Sequence, residues 1–268
     1  MISFIVFFLF LVLYGFFIEP DNVVIKHITV ADSSLDKILN GLKIVQLSDL
    51  HIKQIGYRER KIIDLLTNLN PDIIFLTGDY VEWRGDYTPA IKFLSKLNAT
   101  IGIWAVMGDY DYSDSRKACM FCHQEYNQTN ININNIKFLR NSYEKINIQG
   151  KILTIFGFDL ERKLSYLPIN FFKHVNDYNP AIVLCHNPEI FEIFSKGDEI
   201  VILSGDTHGG QIPLPPLVWK MIDYKKNFKY NKGIIKEGGK FMYVSKGIGT
   251  SHLPFRIMNK PEIVVFHF

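Results

Sequence analysis

A short apolar run that ends on an Asp beside Gly or Ser recurs along this chain, and it constrains the fold more than any other feature. Leu42 to Leu47 leads into Ser48-Asp49-Leu50-His51. Ile73 to Thr77 leads into Gly78-Asp79-Tyr80, and Ile101 to Met107 leads into Gly108-Asp109-Tyr110-Asp111. Between the first two runs, Arg58 to Leu69 places Ile62, Ile63, Leu65, Leu66 and Leu69 at helical spacing until Pro71-Asp72 breaks it. Pro89 to Leu97 reads as a second helix. Strand, helix, strand, helix, strand requires crossover connections, and so a parallel or mostly parallel sheet. The sequence therefore predicts an α/β fold with these acids gathered at the carboxyl edge of a sheet, where such sheets bind ligands.

The second half is richer in strands. Lys151 to Phe158 is strand-like. Ala181 to Cys185 ends in His186-Asn187-Pro188, and Glu199 to Leu203 ends in Ser204-Gly205-Asp206-Thr207-His208-Gly209-Gly210-Gln211. Lys240 to Ser245 and Glu262 to Phe268 close the chain as strands, and Asn22 to Val30 opens it as one. No short repeat or interdomain linker separates these elements. With 268 residues and 47% hydrophobic composition, residues 21–268 are expected to form one large domain.

Residues 1–20 are of another kind. Ile2 to Ile18 carries no charge, and at 1.5 Å per residue it spans about 25 Å, near the lower limit for a membrane helix. A cleaved signal peptide needs a basic start and a small-residue cleavage site. No Lys or Arg precedes Lys26, and large side chains run up to Glu19-Pro20. The segment is read as an uncleaved, single-pass N-terminal anchor. The net charge of +3 gives no ground for a nucleic-acid partner, and no feature points to a protein partner. Three cysteines provide no disulfide framework. Cys119-Met-Phe-Cys122-His123 matches the C-x-x-C-H haem pattern formally, but a helix carrying two cysteines is the simpler reading.

Asp49, His51, Asp79, Asp109, His186, Asp206 and His208 each follow an apolar strand, most beside a glycine that lets the backbone turn sharply. One such residue alone would be an ordinary helix cap or a surface histidine. Convergent carboxylates, however, require a cation, and imidazole with carboxylate is the usual ligand mix for zinc, manganese or iron. Seven groups suit two divalent metal ions, which together clamp a phosphoryl group and supply a hydroxide nucleophile.

These segments, in this order, resemble the five motifs of the calcineurin-like metallophosphoesterases, from about residue 40 to the C-terminus. Gly247-Ile248-Gly249-Thr250-Ser251, with Pro254, Arg256 and Pro261-Glu262, is similar to the tail of the membrane-associated bacterial branch. That branch includes phosphodiesterases and a UDP-2,3-diacylglucosamine pyrophosphatase. The resemblance implies a four-layer α/β/β/α sandwich. It implies one metal on Asp49, His51, Asp79 and His208, and a second on Asp79 as bridge, Asp109, His186 and Asp206.

The chain departs from the family at three of these positions. The family usually has Asn at Asp109, His at Asp206, and at Tyr110 a histidine that assists the leaving group. Four carboxylates then balance two divalent ions, and harder oxygen ligands favour manganese or magnesium over iron or zinc at the second site, manganese first. A tyrosine is a poorer proton donor than a histidine near neutrality, whereas a phosphate leaving group needs little protonation. The expected substrate is therefore a pyrophosphate or activated diester in a lipid-linked molecule such as UDP-2,3-diacylglucosamine. Tyr110 would orient the leaving group, and Arg256 would offset developing charge. The alternatives are a broad phosphodiesterase or phosphatase on phospholipids, or a non-catalytic metal-binding scaffold. A UDP-sugar lipid would place the site on the cytoplasmic face of the membrane.

After the last motif, Ile212 to Trp219 is apolar and precedes Lys220, Lys225, Lys226, Lys229, Lys232, Lys236 and Lys240. An apolar loop with a Trp beside lysines suggests an interfacial membrane contact as readily as it suggests a solvated loop beside a core patch.

Overall fold

The computed structural model describes residues 2–30, 34–82, 86–111, 133, 136–159, 181–222 and 228–268. The C-x-x-C-H segment at 119–123 lies outside them, as do Lys225 and Lys226.

Among the described residues, two six-stranded sheets form the body of the protein. In the first, β1 (Val24–Thr29), β2 (Ile44–Leu47), β3 (Ile73–Thr77), β4 (Gly102–Val106) and β5 (Ile136–Phe138) join the C-terminal strand β12 (Glu262–His267) in the order β1-β12-β2-β3-β4-β5. In the second, β6 (Ser142–Ile148), β7 (Lys151–Phe158), β8 (Ala181–Cys185), β9 (Ile200–Ser204), β10 (Gly233–Glu237) and β11 (Lys240–Val244) are ordered β10-β11-β9-β8-β7-β6. The run β2-β3-β4-β5 is parallel, and so is β7-β8-β9-β11. β6 and β10 form antiparallel edges. The last strand lies between β1 and β2, parallel to one and antiparallel to the other.

Three apolar layers hold the sheets. Helices α3 (Tyr57–Leu69) and α4 (Thr88–Leu94) cover the outer face of the first sheet, with Ile62, Leu66, Phe93 and Leu94 packed on Leu47, Ile74, Leu76 and Ala105. The middle layer seals the two sheets together, Ile44, Phe75, Trp104 and Phe266 meeting Leu153, Ile182, Leu203 and Tyr243. The third lies on the outer face of the second sheet, where Ile190 and Phe191 of the 3-10 turn Pro188–Glu192 pack on Val183 and Ile202. This is the expected α/β class. Because β2, β3, β8, β9 and β11 are buried on both faces, their sequences run continuously apolar instead of alternating.

Gln46 is the exception on β2, and it is fully buried. Its Nε2 donates to Thr77 Oγ1 and to the Ser204 carbonyl, both at 2.9 Å. A buried amide must find such partners, and these lie on different sheets. Gln46 therefore ties the sheets together close to the strand exits: it lies two residues before Ser48, and its partners Thr77 and Ser204 directly precede Gly78 and Gly205, where the motifs begin.

α1 (Ile2–Phe17) is apolar all round and exposes Phe4, Phe8, Phe10 and Phe17. The segment Ser3–Asp21 is long and apolar enough to cross a membrane. Its end is not free of the domain, since Glu19 and Pro20 in the following 3-10 turn are buried. Two residues of the basic flank lie in the interior instead of at a membrane-facing surface. Trp219, on α5 (Pro216–Met221), turns inward and is buried against Gly210, whose added Cβ would come 2.5 Å from the indole ring. Lys240 is buried too, donating to the Phe191 and Phe194 carbonyls and lying 4.2 Å over the Phe191 ring. Lys240 thus finds inside the protein the acceptors that water would have supplied at a surface position, while the Trp219 ring packs on Gly210.

Candidate metal centre

The strand exits turn with unusual backbone geometry. Asp49, His51, Asp79, Asp206 and His208 all have positive φ, between 42° and 75°. A left-handed conformation is strained for a residue with a Cβ and collects at functional sites, where surrounding structure holds it. Here neighbouring loops do the holding. Asp49 N donates to the Gly78 carbonyl and His51 N to the Asp79 carbonyl, which pins the first exit to the second. Asp206 N donates to Asp49 Oδ1 at 3.0 Å, bringing in the exit of β9 from the other sheet.

The result is a compact buried cluster. Asp49, His51 and His208 form one group whose ligand-capable atoms lie within 4.8 Å of one another, and Asp49, Asp79 and His186 form another. Asp79 Oδ2 lies 3.4 Å from both His51 Nε2 and His186 Nε2. The Nε2 atoms of His51 and His208 are 3.0 Å apart, so a proton or a cation must lie between them. His186 Nδ1–H donates to the Thr77 carbonyl at 2.7 Å, which leaves Nε2 as the free acceptor, the orientation a metal-binding imidazole requires. That Nε2 and Asp49 Oδ2 are buried without a hydrogen-bond partner. Orphaned acceptors among imidazoles and carboxylates are the donor set a divalent ion completes. The residues present fit a metal.

The electrostatics of the metal-free chain agree. Burial pushes the Asp49 carboxyl up to about 7, with His186 opposing and Asp79 adding to the rise. Burial also lowers His51 to about 4 and carries His208 well below the usual imidazole range. Asp79 is buried as well, but His186 beside it and its hydrogen bonds outweigh that and hold it below the usual carboxylate range. Burial would lower His186, yet Asp79, Asp49 and Asp206 hold it well above. A raised carboxyl is neutral at low pH, so in the metal-free chain Asp49 contributes stability in acid that is lost as pH rises through about 7. A cation needs the charged form. Metal affinity is therefore expected to rise with pH through about 7, where Asp49 ionises, and to go on rising as His186 gives up the proton that Asp79, Asp49 and Asp206 hold on it, with proton release on binding. Calorimetry in buffers of different ionisation enthalpy measures that release, and its absence near pH 6 would contradict it.

Glycines allow the close approach. A Cβ on Gly108 would lie 2.2 Å from Asp79 Oδ1, and one on Gly205 would lie 1.9 Å from Ser48 Oγ and 2.4 Å from Asp49 Oδ2. No larger residue fits either place without displacing a carboxylate.

Asp109 and Asp206 fall in neither group. Both are half-buried at the rim, and Asp206 contributes its charge to Asp49 and His186. Tyr110 N donates to Asp79 Oδ1 at 2.9 Å. The Tyr110 ring stands edge-on to His51 with centroids 4.7 Å apart, and its hydroxyl lies 3.3 Å from His252 Nε2. Arg256 lies behind the cluster instead of over it. It is fully buried, donating to the Gly249, Asn259 and Lys246 carbonyls and, at 3.3 Å, to His208 Nδ1. A guanidinium so occupied orients His208 and has no face open to a phosphoryl group, so its expected role in offsetting charge shifts to one of support.

Sequence reasoning missed Asp111. Its carboxylate is fully buried and accepts N–H bonds from Asp79, Tyr80 and Gly108, each at 2.8 Å. Burial and the nearby Asp79 push it up to about 8 against those donors. The second acid in Gly108-Asp109-Tyr110-Asp111 was the available signal.

Beside the cluster is a cavity of about 350 Å³, lined by His51, His252, Lys53 and Arg58 and by Phe16 and Pro20 from the end of the apolar segment. Arg58 is paired with Glu59 at 2.8 Å.

Two stacked sheets carrying buried carboxylates and imidazoles on their strand exits define a metallophosphoesterase. The chain belongs to the calcineurin-like phosphoesterase family, whose sequence model matches residues 42–210. It is 28% identical over 267 residues to the uncharacterized metallophosphoesterase YkuE of Bacillus subtilis, covering 94% of this chain and 88% of that one. It is 26% identical over 275 residues to the UDP-2,3-diacylglucosamine pyrophosphatase LpxG of Chlamydia muridarum, covering 85% of this chain and 83% of LpxG. A transmembrane protein with metallophosphoesterase domain from Danio rerio is 27% identical over 262 residues, covering 91% of this chain and 56% of that protein. The chain is accordingly a phosphoesterase of a metal-dependent family.

Proposed function

We propose that this protein hydrolyses a pyrophosphate or phosphodiester bond in a lipid-linked substrate at a membrane surface, with a UDP-2,3-diacylglucosamine type of molecule as the leading candidate. One observation carries the reading: the cavity beside His51 is lined in part by the end of the apolar N-terminal segment. The likeness to LpxG supports the substrate class.

Asp49, His51, Asp79 and His208 would hold one divalent ion, and Asp79, His186, Asp109 and Asp206 the other, with manganese favoured by the oxygen-rich second set. Two such ions supply a water ionised near neutrality and positive charge against the phosphoryl oxygens. The protein's own part is placement. Asp79 keeps one oxygen toward His51 and His186 while its other oxygen is anchored by Tyr110 N–H. His186 is held by Thr77, and His208 by Arg256. Lys53 at the cavity, with Glu82 near it, offers a positive charge to a phosphate. Tyr110, with its hydroxyl next to His252, orients the leaving group. Poor proton donation there matters little when the leaving group is itself a phosphate. The catalytic domain, residues 21–268, faces the cytoplasm on this reading, where nucleotide-linked lipid precursors are available.

The test is a panel of phosphate compounds offered to the full chain with added manganese. Turnover of bis-p-nitrophenyl phosphate distinguishes an enzyme from a scaffold. Hydrolysis of a nucleotide-diphospho-lipid over simple alkyl monoesters is expected. Steady turnover of alkyl monoesters with none of the pyrophosphate would reverse the proposal.

A further inference from the structure

The strap from Ser251 to Met258 reaches up alongside the apolar helix. Arg256 N donates to the Gly15 carbonyl at 3.0 Å, and the Phe255 ring meets Phe16 edge-on with centroids 4.8 Å apart. A Cβ on Gly15 would come within 2.3 Å of the Phe255 ring, so the contact is as close as backbone allows. Gly15 lies three residues before Ile18, where the apolar run ends. At 1.5 Å per residue the strap therefore extends about 4.5 Å past the end of that run, toward its middle. Leu253 and Met258 project from the strap with 49% and 81% exposure.

The same strap is clamped to a second apolar element. Gln211 holds Ser251 through both side-chain atoms, and Ile257 N donates to the Gln211 carbonyl. Gln211 leads into α5, anchored inward by Trp219, whose outer side exposes Leu217 at 66%, Met221 at 78% and Ile222 at 54%. Large apolar side chains this exposed in adjoining segments are unusual for a surface facing only water. The strap's level beside the helix indicates what covers it, and α5 adjoins the strap through Gln211.

We propose that the strap and α5 form an apolar collar seated in the interfacial layer of a lipid bilayer, around the foot of the N-terminal helix. The proposal rests on the reading of that helix as a membrane anchor. An apolar surface buried at headgroup depth matches interfacial binding, with Lys220 on α5 and Lys260, two residues past the strap, exposed for anionic headgroups. The cavity then opens at the bilayer surface. A lipid can present its phosphate to the cluster while its acyl chains stay in the membrane.

The experiment uses the full chain in lipid nanodiscs and four single substitutions: Phe7→Trp in the helix, Leu253→Trp and Met258→Trp on the strap, and Ile152→Trp on the distant β7. All four positions are solvent-exposed, so folding is not challenged. The readout is the emission added by each new Trp and its loss when the acyl chains are brominated. Loss at Phe7, Leu253 and Met258 but not at Ile152 is the expected result. Loss at Phe7 alone overturns the collar and leaves the anchor standing. No loss at Phe7 removes the anchor and the collar together. Equal loss at Ile152 shows unspecific adsorption and overturns the collar.

Discussion

Asp79→Ala is expected to abolish turnover and to strip the protein of most bound metal. Asp79 Oδ2 lies equally far, 3.4 Å, from His51 and His186, which belong to different sheets. Its removal leaves two imidazoles and Asp49 without the charge that organises them. On bis-p-nitrophenyl phosphate with saturating manganese, the loss should reach at least about a thousandfold, equivalent to about 4 kcal/mol of transition-state stabilisation. Asp79→Asn separates two roles, because the amide oxygen can still accept the Tyr110 N–H while the negative charge is gone. It is expected to keep the fold and lose the metal. Elemental analysis of purified variants reads the stoichiometry directly. Near-normal metal content and turnover in Asp79→Ala would remove the basis for the binuclear assignment.

The second large effect is structural. Asp111→Asn changes one oxygen into an NH2 group. Asp111 Oδ1 accepts from Tyr80 N, and Oδ2 accepts from both Asp79 N and Gly108 N. Whichever way the amide is turned, its NH2 faces at least one buried N–H, and a donor set against a donor is left unpaired. Each unpaired buried group costs about 1–3 kcal/mol. A domain of this size loses about 2–4 °C in Tm per kcal/mol. Above about pH 8, where Asp111 is charged, the variant should therefore melt on the order of 10 °C lower, with weaker metal binding because both loops that position Asp79 are loosened. Scanning calorimetry and a manganese titration check the two parts. An unchanged Tm would mean that the carboxylate is not what joins the loops.

Much of this protein could be read from the chain alone, and the reasons are local. Runs such as Ile73–Thr77 and Ala181–Cys185 are too short and too apolar for anything but strands buried on both faces. The residues that follow them are fixed at strand exits by the glycines around them. Asp49, His51, Asp79, His186 and His208 were singled out on that basis, and the structure brings them together. The edges were less legible. β5 is very short, and β6 and β10 alternate in burial but carry polar residues on both faces, so their sequences show little apolar pattern. Trp219 and Lys240 looked like surface residues because composition cannot show that a pocket exists to receive them.

Local chemistry thus determined the alternation of strands and helices, the apolar N-terminal segment and the identities of the groups able to bind a cation. Tertiary structure decided the rest. It placed β12 between β1 and β2, moved Arg256 behind His208, made Asp111 a staple between two loops, and set the strap of Leu253 and Met258 beside Gly15. Contacts of this kind join the two ends of the chain, Gly15 to Arg256 and Glu19 to Asn259, and such pairings are selected by packing and by the need to satisfy buried polar atoms, neither of which leaves a mark on neighbouring residues in the sequence.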